Sequence, residues 1–429
     1  MINIGLLGCG TVGSGVVKLL EQNGETILKK TGKEIRIKKI LERDVEKCLE
    51  LGFAENCITE DIKDIVDDPE IDIIVELLGG ISPADEFIIE AMEKGKHVVT
   101  ANKDLIAVKG QDIFDTAENQ KVDFYFEASV AGGIPAVTPL KQSLAGNNIE
   151  EVIGILNGTT NYILTKMSRE GQDFDDVLKE AQDLGYAEAD PSSDVYGLDA
   201  ARKIAILASI AFNSRVMLDD VYVEGITSIN AVDMEYAKEL GLEVKLLAIA
   251  KQEEGQIQVR VHPAFIPIEH PLASVNGVYN AVFIKGDAVG DIMHYGSGAG
   301  QMPTASAVVG DIIEIVRNKN YNSNARIGCT CYDQKPILNI NQLEGQFYIR
   351  MAVKDRPGAL AGIAGVFGNN NVSLSSVLQK TNDWDMAELI LITHNTSEQN
   401  LRDALAVLKG MSIVGEINNV IRLEGMDKK

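Results

Sequence analysis

In GLDAARKIAILASIAF, Gly197 to Phe212, an acid and a lysine stand four residues apart, Asp199 and Lys203, with no charge on any residue after the lysine. On a helix that spacing puts both side chains on one face, where an exposed pair contributes only about 0.2–0.5 kcal/mol. The uncharged continuation implies instead that the helix is buried. A lysine carried into such surroundings is destabilised as an ammonium, which suits it to hand a proton to a reacting oxygen. Spacing alone leaves both readings open. Just upstream, GYAEADPSSDVYGLDAARK adds Glu188, Asp190 and Asp194. Such a group of carboxylates is either a solvated loop or the receptor of a substrate ammonium. VVTANKDL supplies a second lysine. Thr100 to Lys103 follow a strand at the carboxyl edge of a parallel sheet, where ligands bind. A positive charge at Lys103 would there stabilise negative charge growing on an oxygen during hydride transfer; otherwise it is an ordinary surface lysine.

LLGCGTVGSGVV spaces Gly8, Gly10 and Gly13 as G-x-G-x-x-G between a first strand and a helix. That context predicts a dinucleotide loop: a tight turn, close backbone approach to a pyrophosphate, and a helix N-terminus facing the phosphates. Cys9, between two of these glycines, reads as a small packing residue rather than a nucleophile. The second strand ends in ILERD, where an acid would favour a free ribose 2′-hydroxyl and an arginine a 2′-phosphate. Glu42 and Arg43 are adjacent. The reading inclines to Arg43 and NADP, with NAD left open.

The elements that must hold these residues alternate. Short β-branched runs (INIGLLGCG, EIRIKKILERD, IDIIVELLGG, KHVVTANK, VDFYFEASV) separated by helical patterns predict a doubly wound α/β domain with a parallel sheet over residues 1–134. Residues 135–318 read as a second α/β unit with a large buried sheet, including a strand pair that turns at Glu254-Gly255 and the glycine-rich YGSGAGQMP before a helix. Residues 319–344 read as a linker. The order β-α-β-β-α-β over 345–429 predicts a small, separate ferredoxin-like unit.

The chain has 429 residues, enough for two or three domains, and a formal net charge of −23 with a pI near 4.7. That balance argues against nucleic acid and against an anionic membrane face as partners. Apolar runs fall short of the ~18 residues of a membrane span, and no signal-peptide pattern follows Met1, so a cytoplasmic protein is expected. Five scattered cysteines form no disulfide framework, and Cys329-x-Cys331 is weak as a metal site. His262 and His270, in HPAFIPIEHP, suit packing better than metal ligation.

GLLGCGTVGSGVV, VVTANK, EASVAGGIP, LNGTTNYIL, GYAEADPSSDVYGLDAARK and GSGAGQMPTASAVVGD, with VKDRPGALAGIAGVFGNNNVSLSSV in the tail, resemble the homoserine dehydrogenase family in its single-function form with a carboxyl-terminal ACT domain. The resemblance implies a Rossmann-like NAD(P)-binding domain, an α/β substrate and dimerisation domain, and a regulatory ACT domain. It also implies reversible reduction of L-aspartate 4-semialdehyde to L-homoserine by NADPH or NADH, in threonine, methionine and isoleucine biosynthesis. By position, Lys203 resembles the proton donor and Lys103 its assistant. Glu188 resembles the ligand of the substrate ammonium, Asp199 the residue that orients substrate and lysine, and Asp194 a weaker candidate. Thr11, Val12, Arg43, Lys103, Gly185 and Gly300 match cofactor-contacting positions, beside Gly8, Cys9, Gly10, Gly13 and Thr100 of the two motifs. EASVAGGIP resembles a structural sodium loop, with Glu127 and the carbonyls of Val130, Gly132 and Ile134. DRPGAL and NNNVSL resemble the loops through which ACT domains take an amino acid, with threonine the family's usual effector; otherwise the tail only dimerises. A homodimer or homotetramer is implied by analogy. Two competing readings remain: a semialdehyde dehydrogenase working through a cysteine thioester, and a non-catalytic NADP-sensing regulator.

Overall fold

The protein is described from a computed structural model covering residues 1–383 and 385–426. The chain divides into two compact units, one made of Met1–Asn157, Arg202–Val221 and Tyr279–Lys335, the other of Gly158–Ala201, Tyr222–Val278 and Pro336–Lys429.

In the first unit, the apolar runs form a six-stranded, all-parallel sheet in the order Ile58–Thr59, Ile35–Leu41, Ile2–Leu7, Ile73–Glu76, His97–Thr100, Phe124–Tyr125. Strand order reverses between Ile2–Leu7 and Ile73–Glu76, which opens a crevice at their carboxyl ends. Helix Thr11–Thr31 follows the first strand and helix Lys103–Gln120 the fifth. Much later in the chain, helix Gln301–Asn320 returns to this sheet: Ala305, Val308 and Ile312 share one core with Ile4, Leu6 and Val16. Gly15 permits the approach, because a Cβ there would lie 2.6 Å from the Gln301 carbonyl oxygen. Strands Ile149–Ile155, Tyr279–Gly286 and Gly290–Ser297 form an antiparallel ladder in the same unit.

In the second unit, Leu242–Glu253 and Gln256–Pro267 pair over their whole lengths around the expected turn, where Glu254 and Gly255 both have positive φ. The tail has its expected order: strand Glu344–Lys354, helix Ala359–Asn369, strands Leu374–Asp383 and Met386–Thr393, helix Glu398–Lys409, strand Val414–Leu423. It is not set apart. Val414–Leu423 pairs in parallel with Gln256–Pro267, Ala264 opposite Arg422, so the tail's sheet continues the strand pair. Buried polar groups fasten this seam. Arg260 donates to Glu424 at 2.7 Å and to His262 Nε2 at 3.1 Å, and Arg350 holds Asp233 at 2.8 Å and Glu388 at 3.0 Å. No helix among the described residues is long and apolar enough to cross a membrane.

Candidate active site

The glycine loop is built as its spacing demands. Gly8 adopts φ +93°, and a Cβ at Gly13 would lie 2.2 Å from the Gly8 carbonyl oxygen, so the helix starts against the turn only if both are glycine. Gly10 faces open space, the room a pyrophosphate needs. It caps helix Thr11–Thr31, and the first N–H groups of a helix, here those of Thr11 and Val12, lack acceptors within it and suit an anion. Cys9 is fully buried, and burial together with Cys48 pushes its thiol up to about 12. That leaves no thiolate there for thioester chemistry.

At the end of the second strand, the Glu42 carboxylate accepts from the backbone N–H groups of Cys9 at 2.7 Å, Arg43 at 2.8 Å and Asp44 at 3.2 Å. Burial alone would raise its pKa, but these amides hold it below the usual range. Glu42 thus ties the strand end to the loop, while the Arg43 side chain is exposed beside it.

Sequence reasoning missed one residue at the crevice. Glu76 ends the fourth strand fully buried, accepting from Thr100 Oγ1 at 2.6 Å and from the N–H groups of Leu78 and Gly79. An acid closing an apolar strand was the available signal. Thr100 also receives the Asn102 N–H, and Asn102 caps helix Lys103–Gln120 by accepting from Leu105 at 3.0 Å. This chain of contacts sets Lys103 at the first helical position, partly buried, next to the carboxyl end of its strand.

Helix Leu198–Ala211 carries Asp199 and Lys203 one turn apart, and every residue after Lys203 to Ala211 except Ser209 is a buried hydrophobic. Asp199 is buried; Lys203 is partly buried. In the first unit, Lys203 Nζ donates to the Leu156 carbonyl oxygen at 2.7 Å, just past the end of strand Ile149–Ile155. In the second unit, Glu188 and Asp190 are exposed and Asp194 half-buried. Asp190 accepts from the Ser192 N–H, which opens the short helix Ser192–Val195. The segment Val195–Gly197 is clamped by Gly225, where a Cβ would lie 2.3 Å from the Val195 carbonyl oxygen, and by the Ile226 N–H donating to that oxygen at 2.9 Å. Gly185, exposed with φ +75°, ends the preceding helix; Gly300, at φ +122°, caps helix Gln301–Asn320.

The loop Glu127–Ile134 is closed by its own acid. Glu127 accepts from Ala136, Val137 and Thr138 at 2.6, 2.9 and 2.7 Å, while its N–H donates to buried Asp311. Burial and the neighbouring Glu127 raise the Asp311 carboxyl well above its ordinary range. Gly132, at φ +56°, turns the backbone between Val130 and Ile134. The carbonyls of Val130, Gly132 and Ile134 and the Glu127 carboxylate would offer a cation oxygen ligands only; among the described residues no group of three or more His, Cys, Asp or Glu could hold a metal.

Comparison with known proteins covers the whole chain. The family models described as Homoserine dehydrogenase, NAD binding domain, as Homoserine dehydrogenase, and as ACT domain match residues 8–127, 135–313 and 347–411. The chain is 42% identical over 427 residues to Homoserine dehydrogenase of Bacillus subtilis (strain 168), covering 99% of this chain and 98% of that one. It is 47% identical over 432 residues to that of a Synechocystis strain, with 98% and 99% covered. A solved homoserine dehydrogenase from Thiobacillus denitrificans matches with a TM-score of 0.93 at 44% identity, over 99% of this chain and 98% of that one. A hyperthermophilic archaeal homoserine dehydrogenase in complex with NADPH matches at 0.62 and 28% identity, over 73% and 97%.

Proposed function

The chain belongs to the homoserine dehydrogenase family of NAD(P)-dependent oxidoreductases, and from that premise we propose that it interconverts L-aspartate 4-semialdehyde and L-homoserine with Lys203 as proton donor. The observation that carries this is the Lys203 ammonium fixed on the Leu156 carbonyl oxygen. That contact holds the ammonium in one place, so that its proton is presented in a fixed direction. When bound, the reduced nicotinamide supplies the hydride that reaches the aldehyde carbon. Lys203 gives the proton to the carbonyl oxygen, and Lys103 steadies the charge growing on that oxygen. Glu188 takes the substrate ammonium, Asp199 orients substrate and lysine, and Asp194 adds a second carboxylate.

Gly8, Cys9, Gly10, Thr11, Val12, Gly13, Thr100, Lys103, Gly185 and Gly300 are the residues that would hold the cofactor. Exposed Arg43 meets a ribose 2′-phosphate, so NADP(H) is preferred and NAD(H) accepted. Glu127 and the carbonyls of Val130, Gly132 and Ile134 would hold a structural sodium ion, which would stiffen the loop; thermal unfolding in sodium against a larger monovalent cation reads this without an assay of turnover. The protein works in the cytoplasm, as a homodimer or homotetramer, in threonine, methionine and isoleucine biosynthesis. Its ACT domain, matched over residues 347–411, takes threonine as feedback effector.

The decisive assay is NADPH consumption with aspartate semialdehyde. A purified full-length chain that turns over no semialdehyde sinks the activity, and a Lys203→Met protein as fast as its parent sinks the lysine assignment. A threonine titration that leaves the rate unchanged removes threonine as effector.

A further inference from the structure

Apart from the groups assigned to the reaction, the first unit holds a cavity of about 40 Å3. It lies between Ile106–Phe114 of one helix, Ala205–Ile210 of another, and residues 329–331. Its walls are mostly apolar, yet two cations, Lys141 and Arg215, meet two thiols, Cys329 and Cys331, there. The Lys141 ammonium sits 5.4 Å from the centres of both the Phe114 and Phe126 rings, and burial lowers its pKa. An ammonium held among rings in an apolar recess stabilises any anion that forms beside it.

The chain curls tightly at the two cysteines. Tyr332 N–H donates to the Thr330 carbonyl oxygen at 3.1 Å, a three-residue turn centred on Cys331. That curl brings the Cys331 N–H to Cys329 Sγ at 3.5 Å and lets the two thiols hydrogen-bond to each other. The single Cys331 S–H is shared between Cys329 Sγ and the Ser209 carbonyl oxygen, 3.6 Å from the sulfur and on the helix that carries Lys203. Cys329 therefore has an S–H donor, an amide donor, and the cations Lys141 and Arg215 to favour its thiolate. Together they bring it down to about 6, while its partner thiol is raised. Both cysteines are partly accessible.

The other thiol pair in the unit shows the contrast. Cys9 and Cys48 also hydrogen-bond to each other, but both are fully buried and both are pushed up by burial. No third His, Cys, Asp or Glu joins Cys329 and Cys331 in a metal-binding group among the described residues, so the pair does not make a metal site.

We infer that Cys329 and Cys331 are a redox-active dithiol that exchanges with low-molecular-weight disulfides, and that its closure slows the enzyme through the helix bearing Lys203. In the first step the Cys329 thiolate attacks one sulfur of the disulfide, forming a mixed disulfide and expelling one thiolate. Cys331 then loses its proton to that thiolate and attacks Cys329 Sγ, expelling the second. The two cysteines are oxidised by two electrons and the external disulfide is reduced to two thiols. Closure removes the S–H donor from the Ser209 carbonyl and the anion from beside Lys141, so the wall formed by Ala205–Ile210 must readjust.

The test treats the full-length protein with hydroxyethyl disulfide, alkylates the remaining thiols, and maps them by mass spectrometry beside the NADPH-linked rate. The expected result is loss of both alkylation sites at 329 and 331, with the one peptide that carries both cysteines lighter by two hydrogens than its reduced form and Cys9 and Cys48 unchanged. The rate should fall by about threefold or more, recover in dithiothreitol, and stay constant in treated Cys329→Ser and Cys331→Ser proteins. The mapping is independent of the proposed reaction, so failure of the thiol chemistry and failure of the enzyme reading are distinguishable. Cysteines that stay alkylatable after Cys57 has exchanged overturn the dithiol. A treated native rate that falls no further than that of Cys329→Ser overturns its link to turnover.

Discussion

Lys203 Nζ lies 2.7 Å from the carbonyl oxygen of Leu156, a distance that fixes the ammonium at the end of strand Ile149–Ile155 rather than leaving it to sweep through solvent. A fixed donor loses little entropy on meeting its acceptor. Lys203→Met keeps the stem of the side chain and removes the proton. Its expected effect is a fall in kcat of about 10²–10⁴-fold, the range for one positioned acid. NADPH binding, followed by fluorescence titration, should stay within error of the parent. An equal loss of cofactor binding would mean that the substitution had disturbed the fold instead.

How far the sequence made this legible differs from element to element. The helix behind Lys203 was readable because its uncharged continuation could only be buried, and Gly8 to Gly13 because each spacing has one steric meaning. Glu76 was not readable, since a carboxylate ending a strand looks alike whether it faces water or Thr100. Nor was the seam between Ala264 and Arg422, because pairing between distant strands leaves no local period. The tail consequently reads as separate in sequence although its last strand extends the sheet of Gln256–Pro267. Glu127 is a third case. The family resemblance of EASVAGGIP implied a cation ligand there, while three backbone N–H groups that converge on its carboxylate belong to a loop geometry no spacing encodes.

The seam predicts acid sensitivity. Arg260 can only donate, so His262 Nε2 accepts from it and the imidazole is neutral, leaving Nδ1–H for the Pro263 carbonyl at 3.0 Å. Burial, with Arg422 and Arg260 beside it, keeps the His262 pKa well below 6.5. For Glu424, burial alone would raise the pKa, but Arg260 and Lys251 bring it down from 4.5 to about 2. Both folded values lie below the unfolded ones, so between them the unfolded chain binds more protons and stability falls as pH falls. The histidine part begins to fade below pH 6.5; the Glu424 part, on the order of 3 kcal/mol, is full above about 4.5 and is lost towards 2. Denaturant unfolding at a series of pH values should show this slope, and Glu424→Gln should flatten it below pH 4.5. A slope unchanged by that substitution would remove Glu424 as its source.

The clamp on Val195 predicts a substrate effect from a residue that carries no chemistry. A methyl group at Gly225 would lie 2.3 Å from the Val195 carbonyl oxygen and 2.6 Å from Tyr196 Cα, both backbone atoms without freedom to turn away. Gly225→Ala should therefore displace the segment between Asp194 and Asp199 and destabilise the fold by about 1–3 kcal/mol. If those acids bind the substrate ammonium, KM for aspartate semialdehyde rises several-fold while KM for NADPH does not. An unchanged KM for the semialdehyde would detach the acids from substrate binding.

The proposed preference for NADP(H) is carried by Arg43 rather than its neighbour Glu42, because the fold gives the two side chains different surroundings. Glu42 spends its carboxylate on the N–H groups of Cys9, Arg43 and Asp44, so it holds the loop. Arg43 projects from that strand end with its guanidinium exposed, where it can form charge-assisted hydrogen bonds with a 2′-phosphate. Arg43→Ala should raise KM for NADPH by about tenfold, the equivalent of one hydrogen bond to a charged group, and leave KM for NADH nearly unchanged. Glu42→Gln keeps the shape but weakens the acceptor, so it should raise both constants together. If Arg43→Ala raises both equally, the arginine serves the loop rather than the 2′-phosphate, and selectivity for NADP has to come from another group.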